Sequence, residues 1–277
     1  MATDPKVVII TGCSEGGIGN ALCQAYAAHG CIVYATARRP ESMSNLTHPT
    51  IHKLKLDVLE DDQVNDVVKT IIDREGRIDI LVNNAGSLAA GPLLDMSVDH
   101  TRQAFEVHTF AVLRLCRAVA PHMAKRKSGT IVTIGSVTGL FPVPFHGTYS
   151  AAKSATHALM DTLWMECKPL GIHVTLIAAG YVHTNLATNG LPNFQLPENT
   201  LYPTYTSSIY AGFDTSKGAW TGAMSADVFA EKVVKKTVRR NPPRYMSIGG
   251  QSFLHKVFLW LPRKLILAFF WRETLKA

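Results

Sequence analysis

From residue 6 to about residue 180, short and almost wholly apolar runs alternate with amphipathic stretches of helical period. That rhythm restricts the fold more than anything else in the chain. Residues 6–10 (KVVII), 31–37 (CIVYATA), 52–58 (HKLKLDV), 78–86 (IDILVNNAG), 129–136 (GTIVTIGS) and 171–180 (GIHVTLIAAG) read as strands. Between them, Ile18, Leu22 and Tyr26 mark one helical face, and 60–75, 99–124 and 149–168 read as helices. A strand that is apolar on both faces needs cover on both, and helices on either side supply it. The expectation is an α/β fold, a single doubly wound parallel-sheet domain of the Rossmann kind. No internal repeat or linker divides it. Residues 1–250 are expected to form this domain and 251–277 a C-terminal apolar, basic helical tail of it.

The first strand runs into TGCSEGGIG at 11–19, with Gly12, Gly16, Gly17 and Gly19 ahead of the first helix. Glycine there lets backbone amides approach a diphosphate, and a helix N-terminus attracts negative charge. Placed after the first strand of a βαβ unit, such a turn points to a dinucleotide. The second strand ends at Ala37 and is followed by Arg38 and Arg39, with no acid before Glu41. A carboxylate at this place would hold a ribose 2′-hydroxyl; an arginine accommodates a 2′-phosphate. The expected cofactor is therefore NADP(H).

Tyr149 precedes Lys153 by one helical turn, and Ser136 ends the fifth strand thirteen residues earlier. A phenol, with a pKa of about 10, is a poor base at neutral pH. A neighbouring ammonium favours phenolate, and a serine hydroxyl can hold a carbonyl oxygen beside it. The three groups could move a proton on or off an alcohol oxygen while a nicotinamide carries the hydride. Tyr149 is the expected acid and base, Lys153 is expected to lower its pKa and hold the nicotinamide ribose, and Ser136 to orient the carbonyl.

With these pieces in place, residues 6–240 resemble the short-chain dehydrogenase/reductase superfamily: the glycine motif, Asn83-Asn84-Ala85-Gly86, the Ser136/Tyr149/Lys153 set and the segment after strand six. Within it, TGCSEGGIG, YATARR, HGTYSAAKSATHAL and the basic apolar tail are most similar to fungal NADPH-dependent 1-acyldihydroxyacetone-phosphate reductases and their steroid-dehydrogenase-like neighbours. The resemblance implies cofactor contacts from Gly12, Ser14, Gly17, Ile18, Gly19, Arg38 and Arg39. It adds Asp57 and Val58 at the adenine, Asn84, Ala85 and Gly86 along the cleft, Tyr149 and Lys153 at the ribose, and Val182 and Thr184 beyond strand six. Three departures stand out. The glycine turn carries one extra residue, the family's Pro-Gly is Ala179-Gly180, and the usual asparagine of the long helix is His108. With an unperturbed pKa of about 6.5, His108 is expected to order water or relay the proton.

Substrate contacts are expected from Phe141, Pro142, Val143, Pro144 and Phe145 as an apolar wall, and from 186–224 as a lid. The net charge of +7 is uneven: residues 231–277 hold eleven Lys/Arg against Glu231 and Glu273, a balance of +9. A basic excess confined to the end argues against nucleic acid as a partner. Within 253–276, Phe, Leu and Trp interleave with Lys256, Arg263, Lys264 and Arg272, and Pro262 divides the stretch in two. No run of ~18 uncharged apolar residues exists, so the segment is expected to lie in a membrane interface. The expected partner is a hydrophobic small-molecule or lipid ketone or alcohol: 1-acyldihydroxyacetone phosphate or a related lipid, alternatively a steroid, terpenoid or other secondary metabolite. NADP(H) favours the reductive direction.

No basic leader precedes the first strand, so a cleaved signal peptide is not expected. The five cysteines show no Cys-x-x-Cys spacing and read as buried thiols of a reducing compartment, with no metal expected. The expected location is the cytoplasmic side of an intracellular membrane, endoplasmic reticulum or lipid droplet, and otherwise the cytoplasm. The resemblance further implies a homodimer paired through the Tyr149–Lys153 helix and the long helix before it.

Overall fold

The computed structural model describes residues 4–191, 194–211 and 222–275. In chain order the first half runs β1 (Val7–Thr11), α1 (Ile18–Ala28), β2 (Ile32–Ala37), β3 (Ile51–Lys55), α2 (Asp61–Glu75) and β4 (Ile80–Asn83). It continues with α3 (Val98–Phe105), α4 (Ala111–Lys125), β5 (Gly129–Ser136), α5 (Gly147–Glu166) and β6 (Ile172–Ala179). The remainder holds α6 (Leu186–Gly190), α7 (Thr206–Ala211), α8 (Ala226–Thr237), β7 (Tyr245–Ile248), α9 (Ser252–Phe258) and α10 (Arg263–Thr274).

The strands form one parallel sheet in the order β3-β2-β1-β4-β5-β6-β7. Every residue of β1, β4 and β5 is buried, as continuous apolar runs require when helices cover both faces. One face packs on α1 and α8 and the other on α2, α4 and α5. Tyr26 of α1 meets Thr237 of α8 hydroxyl to hydroxyl at 2.6 Å, so the buried phenol keeps its partner. The chain leaves β1 in one direction through β2 and β3, then returns to place β4 on the other side. That reversal opens a crevice beyond the carboxyl ends of β1 and β4.

Two expectations change at the level of elements. The 99–124 helix is really α3 and α4 joined by a π turn over Glu106–Phe110, where the Ala111 amide donates to the Glu106 carbonyl five residues back. The strand β7 was not expected, because its four residues are exposed or half-buried and alternate weakly. The five cysteines are all free and buried.

The tail follows the expected division at Pro262, which caps α10. Phe258, Ile266 and Phe270 are buried in a cluster with Phe141. Burying such side chains stabilises the packed state by roughly 2 kcal/mol each. Phe141 therefore anchors the tail, and the expected 141–145 wall splits: Phe145 turns instead to Tyr202 and Tyr205, with ring centroids 5.7 and 6.3 Å away. Those rings belong to the expected 186–224 lid, of which 192–193 and 212–221 lie outside the described residues, as do 276–277 of the tail. The lid is pinned by Asp95, whose carboxylate accepts from Thr200 Oγ1 and the Leu201 amide. Among the described residues no helix is long and apolar enough to cross a membrane.

Candidate active site

At the crevice, the glycine turn lies against the loop after β4. Gly12 has φ +72°, and a Cβ there would sit 2.7 Å from the Ala85 Cα; one on Gly19 would sit 2.4 Å from the Gly12 carbonyl. Only hydrogen fits at either place. Asn84 Nδ2 donates to the carbonyls of Thr11 (2.8 Å) and Gly12 (3.0 Å), and Thr11 Oγ1 accepts from the amides of Asn84 and Ala85. The Asn-Asn-Ala-Gly segment thus braces the turn. Gly17 caps α1 with no side-chain bond to its first amides. A cradle of backbone with no room for side chains, at a helix N-terminus, fits a diphosphate.

At the adenosine end, Arg38 and Arg39 are exposed just beyond β2. Ser42 links this corner to the turn: its hydroxyl donates to the Arg39 carbonyl at 2.6 Å and lies 2.9 Å from Ser14 Oγ. Two exposed guanidiniums that pair with no carboxylate among the described residues fit a 2′-phosphate. Asp57 turns its carboxylate to the Leu59 amide (3.1 Å), and the Val58 carbonyl accepts from Arg114. Val58 is buried, and Ile18 packs on the core at the start of α1. Beyond β6, Val182 is buried and bridges to Met224, while Thr184 Oγ1 accepts from the Leu186 amide. A further residue there, Asn185, closes on the turn: its amide donates to the Gly16 carbonyl at 3.0 Å, and its side chain fills the space a Gly16 Cβ would need.

Ser136 ends β5, and α5 brings Tyr149, Lys153 and His157 onto one face at successive turns. The trio expected from sequence is brought together. Ser136 Oγ accepts from Thr138 Oγ1 (2.8 Å) and the Thr138 amide (3.2 Å). Lys153 is buried, with Nζ 2.9 Å from the Ile134 carbonyl and 5.8 Å from the centre of the Tyr149 ring. Burial draws the ammonium down to about 8. Burial also raises the Tyr149 phenol above its ordinary value, and the hydrogen bond with Ser136 pulls the other way. The expectation that Lys153 lowers the phenol is therefore not met by the protein's own groups. Lys153 Nζ donates to a backbone carbonyl, and burial is the leading influence on the phenol.

His108 sits in the π turn, 1% exposed. Its ring meets Tyr149 edge to face at 5.0 Å between centroids. Nε2 is 3.0 Å from the Ser87 carbonyl, so Nε2 carries the hydrogen and donates it. That leaves Nδ1 as a bare acceptor, buried and without a hydrogen-bond partner. Burial, then the Lys153 charge, lowers the imidazole to about 3. A histidine titrating near neutrality is thus corrected to one that stays neutral, which could pass a proton only as an uncharged relay. The His108 carbonyl, in the same turn, accepts from Thr156 Oγ1 at 2.6 Å.

His157 escaped the sequence reading. Its Nε2 accepts from the Ser136 amide at 3.3 Å, and Gly135 and Gly139 leave it space that a Cβ on either would take. Burial and the Lys153 charge lower it to about 4, so it also stays neutral. The signal was present as a histidine one turn beyond Lys153 on the catalytic face.

A sequence model of the short chain dehydrogenase family matches residues 6–193. The chain belongs to that family. As a short-chain dehydrogenase it is 38% identical over 208 residues to the NADPH-dependent 1-acyldihydroxyacetone phosphate reductase of Schizosaccharomyces pombe, covering 74% of this chain and 70% of that one. It is 37% identical over 262 residues to a short-chain dehydrogenase of Penicillium crustosum, covering 93% and 94%. Among solved structures, a short-chain dehydrogenase of Streptomyces avermitilis superposes with a TM-score of 0.78 at 29% identity, over 92% of this chain and 93% of that one.

Proposed function

We propose that this short-chain dehydrogenase uses NADP(H) to interconvert a ketone and a secondary alcohol on a hydrophobic substrate. One observation carries the reading: Ser136, Tyr149 and Lys153 converge beside a side-chain-free cradle that ends at two exposed arginines. The name of the yeast relative supports the same cofactor. The nicotinamide, when bound, supplies the hydride.

Each protein group then has a task. The amides around Gly12, Gly17 and Gly19 hold the diphosphate, and Arg38 and Arg39 take the 2′-phosphate. The Ser136 hydroxyl, fixed by Thr138, presents its hydrogen to the carbonyl oxygen and stabilises charge growing there. Tyr149 gives its proton to that oxygen in reduction and removes it in oxidation. Its raised pKa in the protein alone suits the acid role, and Lys153 offers the cation that limits the rise once its ammonium serves the ribose. Neutral His108 lies against the phenol with Nδ1 free to accept a hydrogen bond.

We take 1-acyldihydroxyacetone phosphate or a related acyl lipid as the substrate class. The greasy, basic tail supports it. Trp271 of α10 lies 5.7 Å from Tyr205, which in turn meets Phe145 near the catalytic helix. Leu259, Trp260 and Leu265 point outward, Trp260 at 89% exposure, beside Arg263 and Lys264. That is the composition of a surface resting in a membrane interface, on the cytoplasmic side of an intracellular membrane. A second reading, a steroid or terpenoid of secondary metabolism, is favoured by the ring-lined lid of Phe145, Tyr202 and Tyr205.

Purified protein with NADPH should reduce acyl dihydroxyacetone phosphates faster than a panel of steroid and terpenoid ketones. Turnover confined to the latter would transfer the assignment to the second reading. Tyr149→Phe should lower kcat by about 10²–10⁴-fold with NADPH binding intact; a fully active variant would overturn the mechanism.

A further inference from the structure

A cavity of about 440 Å³ opens between α8, β7 and α9, and none of Ser136, Tyr149 and Lys153 lines it. Its lining divides by chemistry. Lys232, Lys235 and Lys236 line it from one face of α8, as their i, i+3, i+4 spacing dictates. All three are exposed, and among the described residues none pairs with an acid. Among the described residues no carboxylate lines the cavity, while Leu140, Met246, Ile248 and Leu259 make its apolar walls.

Two polar atoms on this lining lack partners: Ser247 Oγ and His255 Nδ1, both buried. His255 is 5% exposed and is held by stacking on Phe141, with ring centroids 6.4 Å apart and planes within 19°. A buried polar atom without a partner is costly, and such atoms mark places where a ligand or water completes the bonding. Leu259, on the lining, is 60% exposed, and the next residue, Trp260, is 89% exposed. Cations, unpartnered polar atoms, apolar walls and these exposed apolar side chains match an amphiphile with an anionic head.

We propose that this cavity takes the phosphate headgroup of an anionic membrane lipid, with the lysines on the phosphate and the acyl chains leaving along Leu259 and Trp260. The proposal rests on the membrane-facing reading of the tail and adds a headgroup site to it. The apolar walls distinguish this ligand from free phosphate, which would gain nothing from them.

The test uses the full chain with two probes, phosphatidylcholine vesicles with or without phosphatidic acid, and soluble dioctanoyl phosphatidic acid. The wild type should prefer the phosphatidic acid vesicles and bind the soluble lipid saturably. At about fivefold per lysine near an anionic surface, the K232Q/K235Q/K236Q variant should bind the anionic vesicles on the order of 100-fold more weakly. It should keep NADPH binding and its affinity for neutral vesicles. His255→Leu keeps the lysine charges while removing the unpartnered Nδ1; it should lose saturable binding of the soluble lipid, which a diffuse basic patch would not. Unchanged anionic binding in the triple variant would overturn the headgroup site and leave the tail reading standing. Failure of the wild type to bind any vesicle, with the soluble lipid still bound, would overturn the tail reading alone. Inorganic phosphate competing as well as the lipid, or a change of oligomeric state in the triple variant, would also overturn the assignment.

Discussion

Acid should weaken this protein through buried histidines, His108 and His157 among them, and replacing His108 with Asn should remove a measurable part of that weakness. His108 titrates at about 3 in the folded chain against an ordinary value of 6.5, and His157 at about 4. Both folded values are depressed, so between them and about 6.5 the unfolded chain binds protons that the folded chain refuses. Stability therefore rises with pH across that window. It is complete above about 6.5 and is lost as pH falls toward the folded values. At about pH 5 each histidine costs about 2 kcal/mol relative to pH 8, from the ratio of its binding polynomials in the two states. Both are nearly fully buried, so solvent screening takes little from the figure. Urea unfolding at the two pH values would give wild type and His108→Asn each a loss on acidification. Any cavity left by the smaller side chain costs the same at both and cancels. The variant should lose about 2 kcal/mol less than the wild type. Equal losses would show that the imidazole is not held neutral, and the uncharged relay would fall with it. For the same reason, an inflection near pH 6.5 in kcat/KM that vanishes in His108→Asn would refute the assignment.

Replacing Arg38 and Arg39 with Ala should raise KM for NADPH while leaving KM for NADH nearly unchanged. With charge-assisted bonds contributing roughly 1.5–3 kcal/mol each, loss of two should cost at least ~100-fold in preference, read from paired titrations. His157→Leu strips the acceptor from the Ser136 amide and should lower kcat about 10-fold, the equivalent of roughly 1–3 kcal/mol for an orphaned buried donor. KM for NADPH should hold, and an equal fall in cofactor affinity would reduce His157 to a packing role. Leu259→Ser with Trp260→Ser alters exposed side chains only, so the thermal midpoint should stay while co-sedimentation with membranes drops.

Much of this architecture can be read from apolar rhythm, because a parallel strand covered on both faces can hardly be written otherwise. The boundaries of β5 agree with the apolar run 129–136 to the residue, since both of its faces are buried. β7 is an edge strand of four half-wet residues and left no such imprint. The Tyr149–Lys153 pair was legible because helical spacing converts sequence distance into spatial distance. His108 was legible as a position but not as a chemical state: its pKa follows from burial and from Lys153, 45 residues away in sequence. Asn185 and Ser42 were missed because their roles are set by contacts across the fold, with Gly16 and Ser14, and by no local motif. The 141–145 wall was misjudged as one unit, because alternate residues of an irregular loop can serve different neighbours.

Trp271 meets Tyr205 and Tyr205 meets Phe145, so the last helix packs on the rings proposed to border the substrate. If that helix also rests in a membrane interface as proposed, address and appetite are encoded by the same dozen residues. Grafting the last helix of one family member onto another should transplant selectivity along with destination. A lineage that remodels its C-terminus to settle on a new surface would alter its diet in the same step, with Ser136, Tyr149 and Lys153 untouched.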